Sequence, residues 1–218
     1  TILKKILSIS IWMMLQHGLV FGSWFVFFIT IEHFGERSLA ITNIVRNISS
    51  FLFLFVQAFA SVVSSLVGNL IGEDKSNSIL YVCKKVIFLC YITILPIIIL
   101  FVLFSSYILR IYSDNAALVF EAIPTLKVML TSYLIAVPTF VFFSVVSGIG
   151  HAVASLSIAF ISLVIYIMYV EAIGHFSSSV PLLWTSEHVY FSCVFILSLY
   201  HIHHWRMNLY QSRQKINH

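Results

Sequence analysis

Long apolar runs recur along this chain. From Ile79 to Phe104, ILYVCKKVIFLCYITILPIIILFVLF carries only two charges, both near its start. A helix needs roughly 20 apolar residues to cross the hydrocarbon core of a bilayer. Every backbone polar group buried there must be satisfied within the protein, which a helix does by itself. A chain with several such runs in succession is therefore expected to be an all-α, polytopic membrane protein. Composition agrees: of the 218 residues, 60% are hydrophobic and 9% charged, where a soluble domain has about 25% charged.

Six spans are read, at about 6–31, 39–71, 79–104, 118–147, 152–173 and 187–205, with a polar tail over 206–218. EHFGERS, GEDKSNS, SDNAA, SGIG and GHFSSSVPLLWTS separate them. The stretch from Thr1 to Phe28 is too long for a secretory leader, is followed by further runs and has no A-x-A-like cleavage site. A start on Thr1 fits a piece of a longer chain. Cys83, Cys90 and Cys193 lie in or beside apolar runs, so they read as small hydrophobes rather than a disulfide framework. The net charge of +4 reflects topology, and no nucleic-acid partner is expected. Lys4, Lys5, Lys75, Lys84, Lys85, Arg206, Arg213 and Lys215 fall on one side, with Arg37, Arg46 and Arg110 opposite. The lysine-rich side reads as cytoplasmic. Both termini of the segment are then cytoplasmic, in a cytoplasmic (inner) membrane. Glu32, Glu36, Asp114, Glu171 and Glu187 fall outside.

The second span has a polar seam and reads as the organising element of the chain. Asn43, Asn47, Ser50, Gln57, Ser61, Ser64 and Gly68 follow steps of three and four, interrupted by Leu54. That spacing places them on one helical face. A narrow polar stripe on an apolar helix fits a wet cavity or a partner helix. Asn43, Asn47 and Gln57 are candidate cavity residues, while Ser61 to Gly68 read as helix packing. In the first span Gln16, His17, Ser23 and Trp24 are the corresponding candidates; amides, hydroxyls and aromatic faces bind organic cations and release them. Lys127 lies about two turns into the fourth span. A charge at that depth must reach the interface, pair or line water. Pro96 interrupts the third span, and Pro124 and Pro138 the fourth. Pro138 is the candidate hinge, because each proline removes a helical hydrogen bond.

Two other patterns carry less. His201-Ile202-His203-His204 lacks i,i+4 spacing and a neighbouring acid or cysteine, so interfacial histidines are expected and no metal site. Ser147-Gly148-Ile149-Gly150-His151 does not match a Gly-x-Ser-Gly nucleophile, and neither HExxH nor a phosphate loop occurs. An enzyme is not expected, nor a cofactor.

The segment from Phe34 to Lys75 resembles the multidrug and toxic compound extrusion (MATE) family. FGERSLAITNIV leads into a long helix that ends at SSLVGNLIGEDK, and SVVSGIGHAVAS, Ser144 to Ser155, resembles the family's turn between its tenth and eleventh helices. The resemblance fits the second half of that fold, helices seven to twelve. It implies one six-helix lobe of a two-lobe transporter, with the N-terminal six-helix lobe missing from this chain. It also implies alternating access and export of drugs or organic cations, cationic and amphipathic small molecules, in exchange for inward H⁺ or Na⁺. The first, second and fourth spans would face the central cavity, and the third, fifth and sixth the membrane lipid. Some members carry an acid in the seventh and tenth helices. LQHGLVFGSWF and YLIAVPTFVFF have none, which moves the coupling group to the missing half, to His17 or to Glu32. The alternatives are a lipid-linked saccharide flippase of similar architecture and a non-transporting membrane partner subunit.

Overall fold

The computed structural model describes the backbone of residues 2–216, and the side chains of residues 22–208 together with 11, 14, 15, 18 and 19. Eight α-helices follow one another: α1 (Ile2–Glu32), α2 (Glu36–Gly72), α3 (Ile79–Leu103), α4 (Ser105–Arg110), α5 (Ala116–Gly148), α6 (Ala152–Phe176), α7 (Val180–Trp184) and α8 (Ser186–Ile216). A 3-10 turn over Ser76–Ser78 precedes α3. Among the described residues, five helical stretches are long and apolar enough to cross a membrane: Glu36–Gly72, Ser76–Leu103, Ala116–Gly148, Ala152–Phe176 and Val180–Asn208; in α1, Gly22–Glu32 is a shorter apolar stretch. The protein is all-α and polytopic.

Local sequence explains the breaks. Gly35 holds φ 101° ahead of α2, a conformation that costs glycine little. Asn115 caps α5, its side-chain oxygen accepting from the amides of Ala117 at 3.1 Å and Leu118 at 3.2 Å, two donors a helix start otherwise leaves unpaired. Gly150, at φ 83°, turns α5 into α6. Two loops contain helices that the hydropathy pattern does not reveal: α4 lies beyond the third span and α7 within the long sixth-span loop. The residues read as a polar tail continue α8 as far as Ile216. Polarity there marks departure from hydrocarbon, and a helix needs no apolar face to persist past the interface.

The packing centre is α5 rather than α2. It lies against α2, α3, α4, α7 and α8, and Leu126, Met129, Leu130, Ala136, Val137 and Val145 on it are fully buried. Two apolar clusters, one toward each end of the bundle, share α2, α3, α5, α6 and α8. In lipid the helices gain little by hiding apolar surface from one another, so close packing and interhelical hydrogen bonds carry association. Both occur on α5. A Cβ on Gly148 would lie 2.8 Å from the Ser64 carbonyl oxygen, and one on Gly68 3.8 Å from the Gly148 oxygen. The small residues thus let α2 and α5 approach backbone to backbone. Tyr133 on α5 donates to the Ser49 carbonyl of α2 at 2.5 Å. Thr139 donates to the Phe191 carbonyl of α8 at 3.0 Å.

The prolines do not break their helices. Pro96 lies inside a continuous α3, and Pro124 and Pro138 inside a continuous α5. Pro138 cannot donate to the Leu134 carbonyl four residues back. Tyr91 of α3 supplies the missing donor, its hydroxyl 2.5 Å from that oxygen. The interruption expected at Pro138 is therefore filled by a neighbouring helix.

Candidate functional site

The seam of α2 faces out of the lobe. Ile41, Val45, Ile48, Leu52, Val56, Ala60, Val63 and Val67 turn inward to the core, while Asn43, Asn47, Ser50, Gln57 and Ser61 are exposed. Ser50 donates to the Arg46 carbonyl at 2.9 Å and Ser61 to that of Ala58 at 2.8 Å. These hydroxyls are satisfied by their own helix. The amides of Asn43, Asn47 and Gln57 have no hydrogen-bond partner among the described residues. Arg46, one residue from Asn47, places its guanidinium 4.8 Å from the centre of the Phe28 ring, a cation–π contact that ties α2 to α1. Toward the other end, Ser64 and Gly68 are at the α2–α5 contact with Gly148.

The remaining candidates are dispersed. Gln16 and His17 lie outside the described residues. Ser23 is buried. Trp24 packs into an aromatic cluster, its ring 5.7 Å from Phe27 and 6.1 Å from Trp184. Ser23 and Trp24 thus face the lobe interior, because α1 turns that side toward α6 and α7. Lys127 is exposed on α5 in a stripe with Phe120, Pro124, Thr131 and Leu134, away from the side through which Tyr133 reaches α2. It makes no ion pair among the described residues. Glu121, six residues before it on α5, instead pairs with Arg37 at 2.6 Å. The apolar groove between α3 and α5, ≈ 590 Å³ and lined by Phe88, Tyr91, Ile92, Leu95, Pro96 and Leu134, contains none of the candidate polar residues.

A second polar locus is inside the lobe. Glu187, at the start of α8, is half-buried and has no hydrogen-bond or ion-pair partner among the described residues. It lies within electrostatic reach of Tyr133 on α5 and of Tyr166 on α6 and Tyr190 on α8. The Tyr166 and Tyr190 rings are 5.9 Å apart. Buried nitrogens nearby in sequence, Trp184 Nε1 and His188 Nδ1, also lack partners. His188 Nε2 meets Thr131 Oγ1 at 3.0 Å. Buried polar groups without partners call for water, an ion or a functional role. The lysine and arginine bias places Glu187 at the outer start of the sixth span. The available signal was an acid directly ahead of His188 and Tyr190 on an otherwise apolar run.

Glu32 is exposed at the end of α1, apart from this locus. At the α2–α3 turn, Glu73 and Lys75 pair at 2.8 Å. The hydrogen bond and charge of Lys75 hold the exposed Glu73 carboxyl below its ordinary range. No cluster of three or more His, Cys, Asp or Glu side chains is arranged for a metal ion among the described residues.

The sequence model of the MatE family matches residues 12–170. Among solved structures the chain is similar to a MOP superfamily transporter from Pyrococcus furiosus Vc1 (DSM3638), described as having a binding pocket of reverse polarity that suggests a different function. The TM-score is 0.75 and the identity 18%, over 92% of this chain and 44% of that one. This chain thus spans less than half the length of the protein it superposes on. No curated protein matches the sequence.

Proposed function

The chain belongs to the MatE family, and we propose that it forms one lobe of a two-lobe membrane transporter working by alternating access. The observation that carries this reading is the outward seam of α2. Asn43, Asn47 and Gln57 expose amides on a helix at membrane depth, without partners inside the lobe. Hydrocarbon is a poor setting for such groups. A water-filled cleft against a second six-helix lobe would satisfy them. That lobe would come from the part of the protein outside this chain, in a cytoplasmic membrane with the Glu73–Lys75 turn on the cytoplasmic side.

The substrates of this reading are cationic, amphipathic small molecules, exported in exchange for H⁺ or Na⁺. Each inward elementary charge releases about 2.3 kcal/mol per 100 mV. Glu187 supports a coupling role within this lobe. A carboxylate within electrostatic reach of Tyr133, Tyr166 and Tyr190 can accept a proton or a sodium ion. Its location where α5, α6 and α8 converge lets a change of charge alter their packing. This replaces His17 and Glu32 as the preferred coupling group of the chain. Lys127, off the seam, is retained as a group that reaches the interface from α5.

The test is dye efflux from cells expressing the full-length protein, with pH and Na⁺ varied independently. Gln57→Leu is expected to weaken export at equal protein level. Glu187→Gln is expected to abolish its dependence on the driving cation. Unchanged efflux in both variants would overturn the assignment.

A further inference from the structure

Two histidines far apart in sequence meet at the end of the lobe that carries the Glu73–Lys75 turn. His151 Nδ1, from the α5–α6 turn, is 2.9 Å from His201 Nε2 on α8. The rings are nearly perpendicular, 78° apart. The turn that presents His151 is fixed on both sides. Gly150 N–H donates to the Ser147 carbonyl at 3.0 Å, and Ser155 N–H to the His151 carbonyl at 3.0 Å. Ser147 and Ser155 hydroxyls lie 3.2 Å apart across it. His201 is anchored by its neighbour Ile202, which is buried. His151 is exposed and His201 half-buried, so an ion in solution can reach the pair.

From this geometry we infer that His151 and His201 form a two-imidazole site for a divalent transition metal, Cu²⁺ ahead of Ni²⁺ and Zn²⁺. An imidazole nitrogen binds such an ion at about 2.0–2.1 Å. The 2.9 Å separation is that of a hydrogen bond, with the two nitrogens facing each other; small ring rotations turn both lone pairs onto one ion, and cis imidazole nitrogens suit the tetragonal centres that Cu²⁺ and Ni²⁺ favour. Cu²⁺ also heads the divalent affinity order. In the metal-free pair one ring donates an N–H to the other. On binding, the donating ring shifts that proton to its other nitrogen, each ring gives one lone pair, and a neutral pair releases no net proton. Water completes the coordination. His204, one turn along α8, is not part of the pair: its Nδ1 faces Asn208 Nδ2 at 3.2 Å. The bound metal would tie the α5–α6 turn to α8.

The full-length protein, purified in detergent without a histidine tag, would be titrated with Cu²⁺ at neutral pH and followed by electron paramagnetic resonance. The first equivalent is expected to show a tetragonal centre with coupling to two nitrogens. His151→Ala and His201→Ala should each weaken it at least tenfold and remove one nitrogen. A His203→Ala/His204→Ala double variant should bind as the parent does. His151→Gln, which keeps a polar side chain in the turn, should behave as His151→Ala and controls for local misfolding. Unchanged binding in His151→Ala and His151→Gln, or loss of the first equivalent in the double variant, would overturn the site in favour of the histidine run on α8.

Discussion

Tyr133 and Tyr91 show how single hydroxyls organise this lobe. Tyr133 donates to the Ser49 carbonyl and meets the Ser49 hydroxyl at 2.9 Å, bridging α5 to α2 from a buried position. Removing one partner of a buried hydrogen bond leaves the other unsatisfied, at a cost of about 1–3 kcal/mol. Tyr133→Phe is therefore expected to lower the thermal unfolding midpoint in detergent, and an unchanged midpoint would count against the bridge. Tyr91→Phe should destabilise by about 1 kcal/mol, because the Leu134 carbonyl would lose its hydroxyl donor and Pro138 has no N–H to replace it. In a Pro138→Ala background the same Tyr91→Phe change should cost markedly less, since an alanine N–H can reach Leu134. This double-mutant cycle, read by thermal unfolding, separates a local hydrogen-bond repair from simple loss of tyrosine packing. Both tyrosines sit at positions the hydropathy pattern treats as ordinary aromatic residues of a span. Their roles depend on partners 84 and 43 residues away, which no local pattern encodes.

The crossing of α2 and α5 belongs to the scale of elements. Ser64, Gly68 and Gly148 bring the two backbones together, and the approach is possible only because Gly148 has no side chain. Gly148→Val should force α2 and α5 apart and destabilise by about 1–3 kcal/mol, the usual range for overpacking. Gly148→Ala should have a smaller effect in the same direction. Differential scanning fluorimetry with a thiol-reactive dye would report both, since Cys83 and Cys90 on α3 are buried. The periodic small residues of α2 were legible in the sequence as a helix-packing pattern. Their partner on α5 was not, because SGIG reads as a turn. The same limit applies to α4 and α7. Each is a short helix between spans, and its sequence carries too few residues for a period to be recognised.

At the scale of the whole molecule, the lobe has an inner and an outer polar locus. Glu187 is half-buried at the start of α8, and the amides of α2 look outward. If the two serve separate tasks, then replacing Gln57 should alter substrate selectivity without removing cation dependence, whereas Glu187→Gln should do the reverse. Transport assays with two dyes of different size, each run with and without a Na⁺ gradient and at two external pH values, would distinguish these outcomes. Loss of both properties in either variant would argue that a single locus serves substrate and ion together.

The all-α membrane class and the existence of a polar seam follow from composition and helical period, because hydrocarbon leaves a chain little choice but to form apolar helices and segregate its few polar groups; which way the seam faces does not. The match of residues 12–170 to the MatE family rests on that same linear information. What the tertiary structure alone decided is which helix is central and which polar residues meet. His151 reached His201, Tyr133 reached Ser49, and Trp24 turned toward Trp184, because α5 packs through the middle of the bundle. Such long-range pairings are set by how helices approach one another, through small residues and shared hydrogen bonds, and the sequence of any one helix does not specify its neighbour.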